Sequence, residues 1–276
     1  MILYKNKLLP EHEVPVSYQD RGYNFGDGVY EVFRIYQGVL YGKQAHFRRL
    51  ERSAAEIRLQ LPYPIEEIDH KLEELVRLEQ VSDGTLYMQI TRGVAPRAHV
   101  FPLSAEPVLM AFCTKVERPL KLIHEGITAI TLPDIRWLRC DIKSLNLLPN
   151  VMAKQQAAEQ GAGEAIMHRD GIVTECSASN IMIVKNGVIY THPINHLILP
   201  GITRAVVLKL ASESSTPIRE EAFSLEDLFA ADEVFVTGTT MEVTPVVKVN
   251  QRIIGNGAVG PVTQRLQAAF ERTIGR

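Results

Sequence analysis

A lysine stands where the chain otherwise reads as core. In "RWLRCDIKSLNLLPN" (136–150), Arg139, Asp141 and Lys143 alternate with Leu138, Cys140 and Ile142, and Leu145, Leu147 and Leu148 follow. Such alternation fits a strand with one solvated face. It fits equally a desolvated amine kept for chemistry, because a lysine acts as nucleophile or base only when neutral. By residue type alone the first alternative is the commoner, since lysines rarely leave water.

Anion-binding corners are the next candidates. No GxGxxG follows a strand and no GxxxxGK[ST] occurs, which removes the dinucleotide and P-loop readings. In "LPGITRAVVLKL" Pro200-Gly201 ends a strand, so the amides of Ile202 and Thr203 lie at a helix N-terminus, where unpaired N–H groups and the dipole favour an anion. In "VTGTTMEVTPV" Gly238 permits close backbone approach and Thr239 adds a hydroxyl. An ordinary helix start and a polar strand end explain both equally well when each is read singly.

Charged residues add further possibilities. Glu175, in "IVTECSASN", ends an apolar strand before a run of small residues, where a carboxylate could cap a turn or hold a protonated ring nitrogen. Arg49, in "HFRRLERS", shares a helix with Arg48 and Arg52, which look solvent-facing, and a surface arginine is the ordinary reading. Arg97 and His99, in "TRGVAPRAHVFP", are two apart in a segment stiffened by Pro96 and Pro102. In an extended segment both side chains point the same way, a guanidinium and an imidazole suited to one carboxylate; a solvated basic loop is the alternative. His192 and His196 are four apart, but Pro193 argues against a shared helix face and no acidic partner is evident, so no metal is expected. Cys140 lacks the His–Asn context of a nucleophile.

The elements that must position these groups follow from the whole chain. Its 276 residues are long for one core, and two domains are expected. With 46% hydrophobic and 22% charged residues the composition is that of an ordinary globular protein, and a net charge of -2 gives no drive toward nucleic acid or anionic lipid. Three unclustered cysteines exclude a disulfide framework and a four-cysteine zinc site. Without a signal-peptide pattern or an apolar run of spanning length, the expected location is the cytoplasm.

Hairpins are expected in "ILYKNKLLP" and in "GVYEVFRIYQGVLYG", the latter turning at Gln37-Gly38. Amphipathic helices should follow at 43–60 and 65–79, then strands in "TLYMQITRG" and "PVLMAFCTK". "VERPLK" reads as a linker, which places an N-terminal α+β domain at 1–116, the linker at 117–121 and a second domain at 122–276. That second domain should hold a strand at 126–132, a helix at 149–160, strand pairs turning at "HRDG" and "KNG", a helix from "GITR", strands at 233–237 and 243–248, and a helix at 261–273. The pattern is α+β twice over, without a βαβ repeat.

Read together, "DRGYNFGDGVYEV", "HFRRL", "TRGVAPRAH", "DIRWLRCDIKSLNLL", "VTECSASN", "LPGITR" and "VTGTTMEVTPV" resemble, in that order and over nearly the whole chain, the fold-type IV pyridoxal-phosphate enzymes, and among them the D-amino-acid aminotransferase group. The resemblance implies two domains, each a mostly antiparallel sheet or barrel with flanking helices. It implies that Lys143 forms the Schiff base with pyridoxal 5'-phosphate and moves a proton from substrate Cα, and that Glu175 pairs with the ring nitrogen. Arg49, the amides of Ile202 and Thr203, and Gly238 with Thr239 would hold the phosphate. Leu199 would pack on the cofactor ring and Tyr30 would line the substrate site.

Arg97 and His99 would take the α-carboxylate, from a loop of the neighbouring subunit in a homodimer whose active site is shared. Branched-chain L-aminotransferases share the other motifs and lack this pair. The resemblance therefore implies ping-pong transamination from a D-amino acid such as D-alanine to a 2-oxo acid such as 2-oxoglutarate. The alternatives of the same fold are a branched-chain L-aminotransferase and a lyase acting on 4-amino-4-deoxychorismate; a non-enzymatic carrier of the cofactor is a third. Three positions depart from the pattern: Gly238 where a serine is expected, Ala178 in the small-residue run, and Pro149-Asn150 after the leucines.

Overall fold

Tight turns set the first sheet. Lys5 adopts a φ of 57° between β1 (Ile2–Tyr4) and β2 (Lys7–Leu9). Gln37 and Gly38, at 51° and 78°, join β3 (Gly28–Tyr36) to β4 (Val39–Leu40), and positive φ at both central residues matches the twist of paired strands. Helix α1 (Arg21–Phe25) precedes β3, and α2 (Lys43–Glu56) and α3 (Ile65–Leu78) precede β5 (Gly84–Thr91) and β6 (Val108–Lys115). All pairs in this six-stranded sheet are antiparallel, in the order β2-β1-β6-β5-β3-β4.

Strand alternation decides which face is dry. Val29, Phe33 and Ile35 of β3 and Leu86, Met88 and Ile90 of β5 join one core with Leu50 and Ala54 of α2 and Ile68, Leu72 and Leu75 of α3. The spacing of the α3 residues is that of a single helix face. Tyr30 and Val32 belong to the opposite, half-buried face of β3.

The second unit carries α4 (Leu120–Glu125), β7 (Ile127–Pro133), α5 (Leu148–Glu159), β8 (Glu164–Arg169), β9 (Ile172–Cys176), β10 (Asn180–Lys185) and β11 (Val188–Thr191). There follow α6 (Ile202–Glu213), β12 (Ile218–Arg219), α7 (Leu225–Phe229), β13 (Glu233–Gly238), β14 (Glu242–Val249), β15 (Arg252–Ile253) and α8 (Pro261–Thr273). Its sheet runs β12-β11-β10-β13-β14-β7-β8-β9, with β15 on β14; the β11–β12, β14–β7 and β7–β8 pairs are parallel and the rest antiparallel. The fold is α+β in two units. The computed structural model describes residues 1–275.

Two features differ from the sequence expectations. The first unit comprises Met1–Arg118 together with Ile142–Asn146, and the second comprises Pro119–Asp141 with Leu147–Arg276. Residues 142–146, placed above in the second domain, thus return to the first, and Leu120 and Lys121 of the expected linker already belong to α4. The alternation around Lys143 is not a strand: the segment is irregular, with one isolated bridge from Ser144 to Val29. Helices α1, α4 and α7 were absent from the sequence reading because five or six residues carry too little periodicity to register. No helix among the described residues is long and apolar enough to cross a membrane.

Helix α8 depends on one buried carboxylate. Glu233 Oε1 accepts the Val262 amide at 2.9 Å, and Oε2 accepts the Thr263 amide at 2.8 Å and its hydroxyl at 2.7 Å. A Cβ on Gly260 would collide with this side chain, so the glycine is what lets the helix start reach it. Glu233→Ala leaves these donors unmet and is expected to cost about 2 kcal/mol or more, measured as a lower denaturation midpoint with an unchanged m-value.

Candidate active-site residues

Lys143 is fixed through its backbone. Its carbonyl accepts the Tyr30 amide at 3.0 Å, its own amide donates to the Ser53 hydroxyl at 3.2 Å, and the Leu145 amide donates to the Gly28 carbonyl at 3.1 Å. The approach requires a glycine: a Cβ at Gly28 would lie 2.6 Å from the Ile90 carbonyl and 2.8 Å from Leu145 Cδ1. The half-buried side chain ends with Nζ 4.1 Å from the centre of the Tyr30 ring. Tyr30 in turn stacks on Tyr87, with 5.7 Å between ring centres.

On the opposite face of β3, Glu31 is fully buried against α2. Arg49 donates from Nε to Oε1 at 2.8 Å and from Nη2 to Oε2 at 2.7 Å, and His46, one turn earlier, donates from Nδ1 to Oε2 at 2.7 Å. Burial alone would raise the Glu31 carboxyl, but the charge and bonds of Arg49, with those of His46, hold it at about 2. Burial lowers His46, against the pull of Glu31. Arg49 is therefore buried and held in one orientation, unlike its exposed neighbours Arg48 and Arg52. The sequence reading missed Glu31 and His46. A signal existed, since Glu31 falls in phase with the core residues Val29 and Phe33.

Arg97 and His99 are exposed on the irregular segment after β5. They meet at one ring: the Arg97 guanidinium lies 4.9 Å from the centre of Phe25, and the His99 ring lies 5.7 Å from it. The segment is not an extended strand, and it is this common contact that brings the two side chains together.

In the second unit Glu175 is the penultimate residue of β9 and is buried. Oε1 accepts Arg136 Nη1 at 2.5 Å; Oε2 accepts Asn180 Nδ2 at 2.9 Å and the Leu199 amide at 3.1 Å. Arg136 is shared, donating from Nε and Nη2 to Asp134 at 2.9 and 2.8 Å. Burial pushes the Glu175 carboxyl up to about 7, opposed by Arg136 and the Leu199 amide and reinforced by the negative charge of Asp134. Asp134, Arg136 and Asn180 were not picked out as site residues, because nothing in their spacing joins them to Glu175. Leu199 is half-buried, and its carbonyl accepts Asn180 Nδ2 at 2.9 Å.

Asn180 also explains a glycine. A Cβ on Gly201 would fall 2.0 Å from Asn180 Oδ1, so only glycine can occupy the N-cap of α6. No side chain caps that helix, leaving the amides of Ile202 and Thr203 at an uncapped N-terminus. Next to Gly238 and the half-buried Thr239, the Thr237 hydroxyl is buried without a protein partner. An uncapped helix start and an unmet hydroxyl suit a phosphate, and a carboxylate with three donors suits a ring nitrogen. The residues fit pyridoxal phosphate. Among the described residues no cluster of His, Cys, Asp or Glu could hold a metal ion, and all three cysteines are free.

Residues 28–249 match the family model of class IV aminotransferases. The chain is 49% identical over 274 residues to a D-alanine aminotransferase of Staphylococcus haemolyticus, covering 99% of this chain and 97% of that one. It is 48% identical to a D-alanine aminotransferase of Bacillus licheniformis, covering 99% and 96%. Among solved structures, the branched-chain amino acid aminotransferase of Escherichia coli superposes with a TM-score of 0.92 at 27% identity, covering 98% of this chain and 93% of that one.

Two outcomes are expected from this geometry. With its carboxyl near 7, Glu175 is largely protonated below that pH and ionised above it, and only the anion pairs with a protonated ring nitrogen. Affinity of the cofactor-free chain for pyridoxal phosphate should rise as pH increases through about 7, and Glu175→Gln should flatten that step in a fluorescence titration. At Gly238 an added Cβ meets nothing nearer than 3.5 Å, so Gly238→Ser should fold normally. Its new hydroxyl should strengthen phosphate binding several-fold, read as slower cofactor loss on dialysis.

Proposed function

The chain belongs to the class IV aminotransferases, and we infer on that premise that it is a pyridoxal-phosphate-dependent transaminase of D-amino acids. It moves the amino group of a donor such as D-alanine to a 2-oxo acid such as 2-oxoglutarate. The observation that carries this reading is the meeting of Arg97 and His99 at the Phe25 ring in a chain whose lysine lies over Tyr30. A guanidinium beside an imidazole is a carboxylate grip, and the branched-chain enzymes are expected to lack it. Likeness to the branched-chain enzyme is one of fold.

When bound, pyridoxal phosphate supplies an aldehyde that takes up the amino group and a ring that withdraws the electron pair left at Cα. We assign its phosphate to Arg49, the amides of Ile202 and Thr203, and the Gly238–Thr239 corner, and one face of its ring to Leu199. Glu175 keeps the ring nitrogen protonated; its own three donors fix where its oxygens stand. Lys143 Nζ takes the proton from substrate Cα, and the electron-rich face of Tyr30 stabilises the ammonium so formed. Arg97 and His99 hold the α-carboxylate, which sets which face of Cα is presented to that base.

We place the active form as a homodimer in which the exposed Arg97 and His99 serve the neighbouring subunit's substrate. The cytoplasm is the assigned compartment, in keeping with three free thiols.

The test is the visible spectrum of the cofactor-loaded protein. D-alanine alone should remove the visible band and 2-oxoglutarate should restore it, while L-leucine should do neither. Bleaching by L-leucine alone would instead establish the branched-chain reading. Lys143→Ala should lose both the native band and turnover, and retained turnover would remove this lysine from the mechanism.

A further inference from the structure

The stretch "DRGYNFGD" (20–27) carries more than its phenylalanine. Its residues converge beneath the Arg97–His99 segment. Asp20 caps α1 by accepting the Gly22 amide at 2.7 Å, and it accepts the Thr91 hydroxyl at 2.9 Å. A Cβ on Gly22 would stand 2.3 Å from Thr91 Cγ2, so α1 is seated directly on the end of β5. That seating leaves Arg21 only 3% exposed.

Arg21 then reaches two ways. Nε donates to Asp27 Oδ2 at 2.7 Å, while Nη1 donates to the carbonyl of Ala98 at 2.6 Å and lies 3.4 Å from that of Val100. Ala98 is the residue between Arg97 and His99, and Val100 follows the pair. Asp27 is itself locked, because Arg92 Nε donates to both of its oxygens, at 3.1 and 2.9 Å. The Arg92 guanidinium also lies 3.7 Å from the ring centre of Phe101, on the far side of the pair. An otherwise irregular segment is thus tied by its backbone at 98 and 100 and by its side chain at 101.

We propose that Arg21 is a positioning residue for substrate recognition: held by Asp27, its guanidinium fixes the carbonyl between Arg97 and His99 so that both side chains meet a carboxylate in one geometry. The proposal rests on the carboxylate role given to that pair above. Arg21 touches no substrate. Its effect passes through the backbone of Ala98, and a single flat guanidinium is needed because the ion pair and the carbonyl bond use different nitrogens of one fork. Lysine, with one nitrogen on a flexible stem, cannot hold both at this spacing.

The experiment compares Arg21→Lys, Arg21→Ala, Arg97→Ala and the double variant Arg21→Ala/Arg97→Ala as cofactor-loaded proteins, with D-alanine, 2-oxoglutarate and a primary amine that lacks a carboxylate. Arg21→Lys keeps a cation beside Asp27 and supplies the readout if Arg21→Ala does not fold. Either Arg21 variant should raise KM for both carboxylate substrates about tenfold, with kcat, the visible band and the single-turnover half-reaction of the plain amine, run without an oxo acid, unchanged. Placed on Arg97→Ala, Arg21→Ala should cost clearly less than it does alone, because only His99 is left for it to position. Multiplying losses in the double variant, or a lower kcat at unchanged KM, would overturn the proposal. An unchanged KM in Arg97→Ala itself would overturn the carboxylate reading beneath it, and the positioning role with it.

Discussion

A carboxylate removed from water stays an anion only where guanidinium, imidazole or amide donors replace its hydration, and most of what positions this protein's chemistry follows from that requirement. Glu31, Asp27 and Glu175 are each taken up by arginine, and in each case the arginine or its partner touches a segment with a role assigned above. The outcomes differ with how the donors are shared. Glu31 has Arg49 on both oxygens and His46 besides, and its carboxyl sits at about 2. Glu175 is as deeply buried, yet Arg136 divides itself between Glu175 and Asp134, and the carboxyl rises to about 7. The same pair of residue types thus gives a fixed anion in one place and an adjustable one in the other.

Glycines do complementary work where side chains would keep segments apart. Gly28 admits both the Ile90 carbonyl and Leu145 to its vacant Cβ position, and the bridge from Val29 to Ser144 runs beside it. Gly201 admits the amide side chain of Asn180, which reaches Glu175 and the Leu199 carbonyl from one nitrogen. A methyl group at either place would push apart the segments that carry Lys143 or Glu175. Gly238 is different in kind: no neighbour claims its Cβ space, so its lack of a side chain reflects no packing demand.

Much of the fold was legible because strand alternation and helix spacing are local. The turns at Lys5 and at Gln37-Gly38, the pair α2 and α3, and the strand pairs of the second unit all announce themselves within a dozen residues. The candidate residues were legible through motifs, but their partners were not. Glu31 with Arg49 spans 18 positions, Arg136 with Glu175 spans 39, and Arg21 with Ala98 spans 77. The alternation at 138–143 misled for the opposite reason. It has the period of a strand, while its side chains and backbone are engaged elsewhere: Arg139 bonds Asp141, and the Cys140 amide donates to the His196 carbonyl.

The return of residues 142–146 to the first unit has a consequence for synthesis. The ribosome releases Met1–Arg118 first, but at that moment the Val29 edge still lacks Ser144, the Gly28 carbonyl lacks the Leu145 amide and the Ser53 hydroxyl lacks its donor from residue 143. Folding of the nascent chain therefore stays incomplete in its earliest-made part until the stretch bearing Lys143 has emerged. The amine and the surface that orients it arrive in the finished fold together.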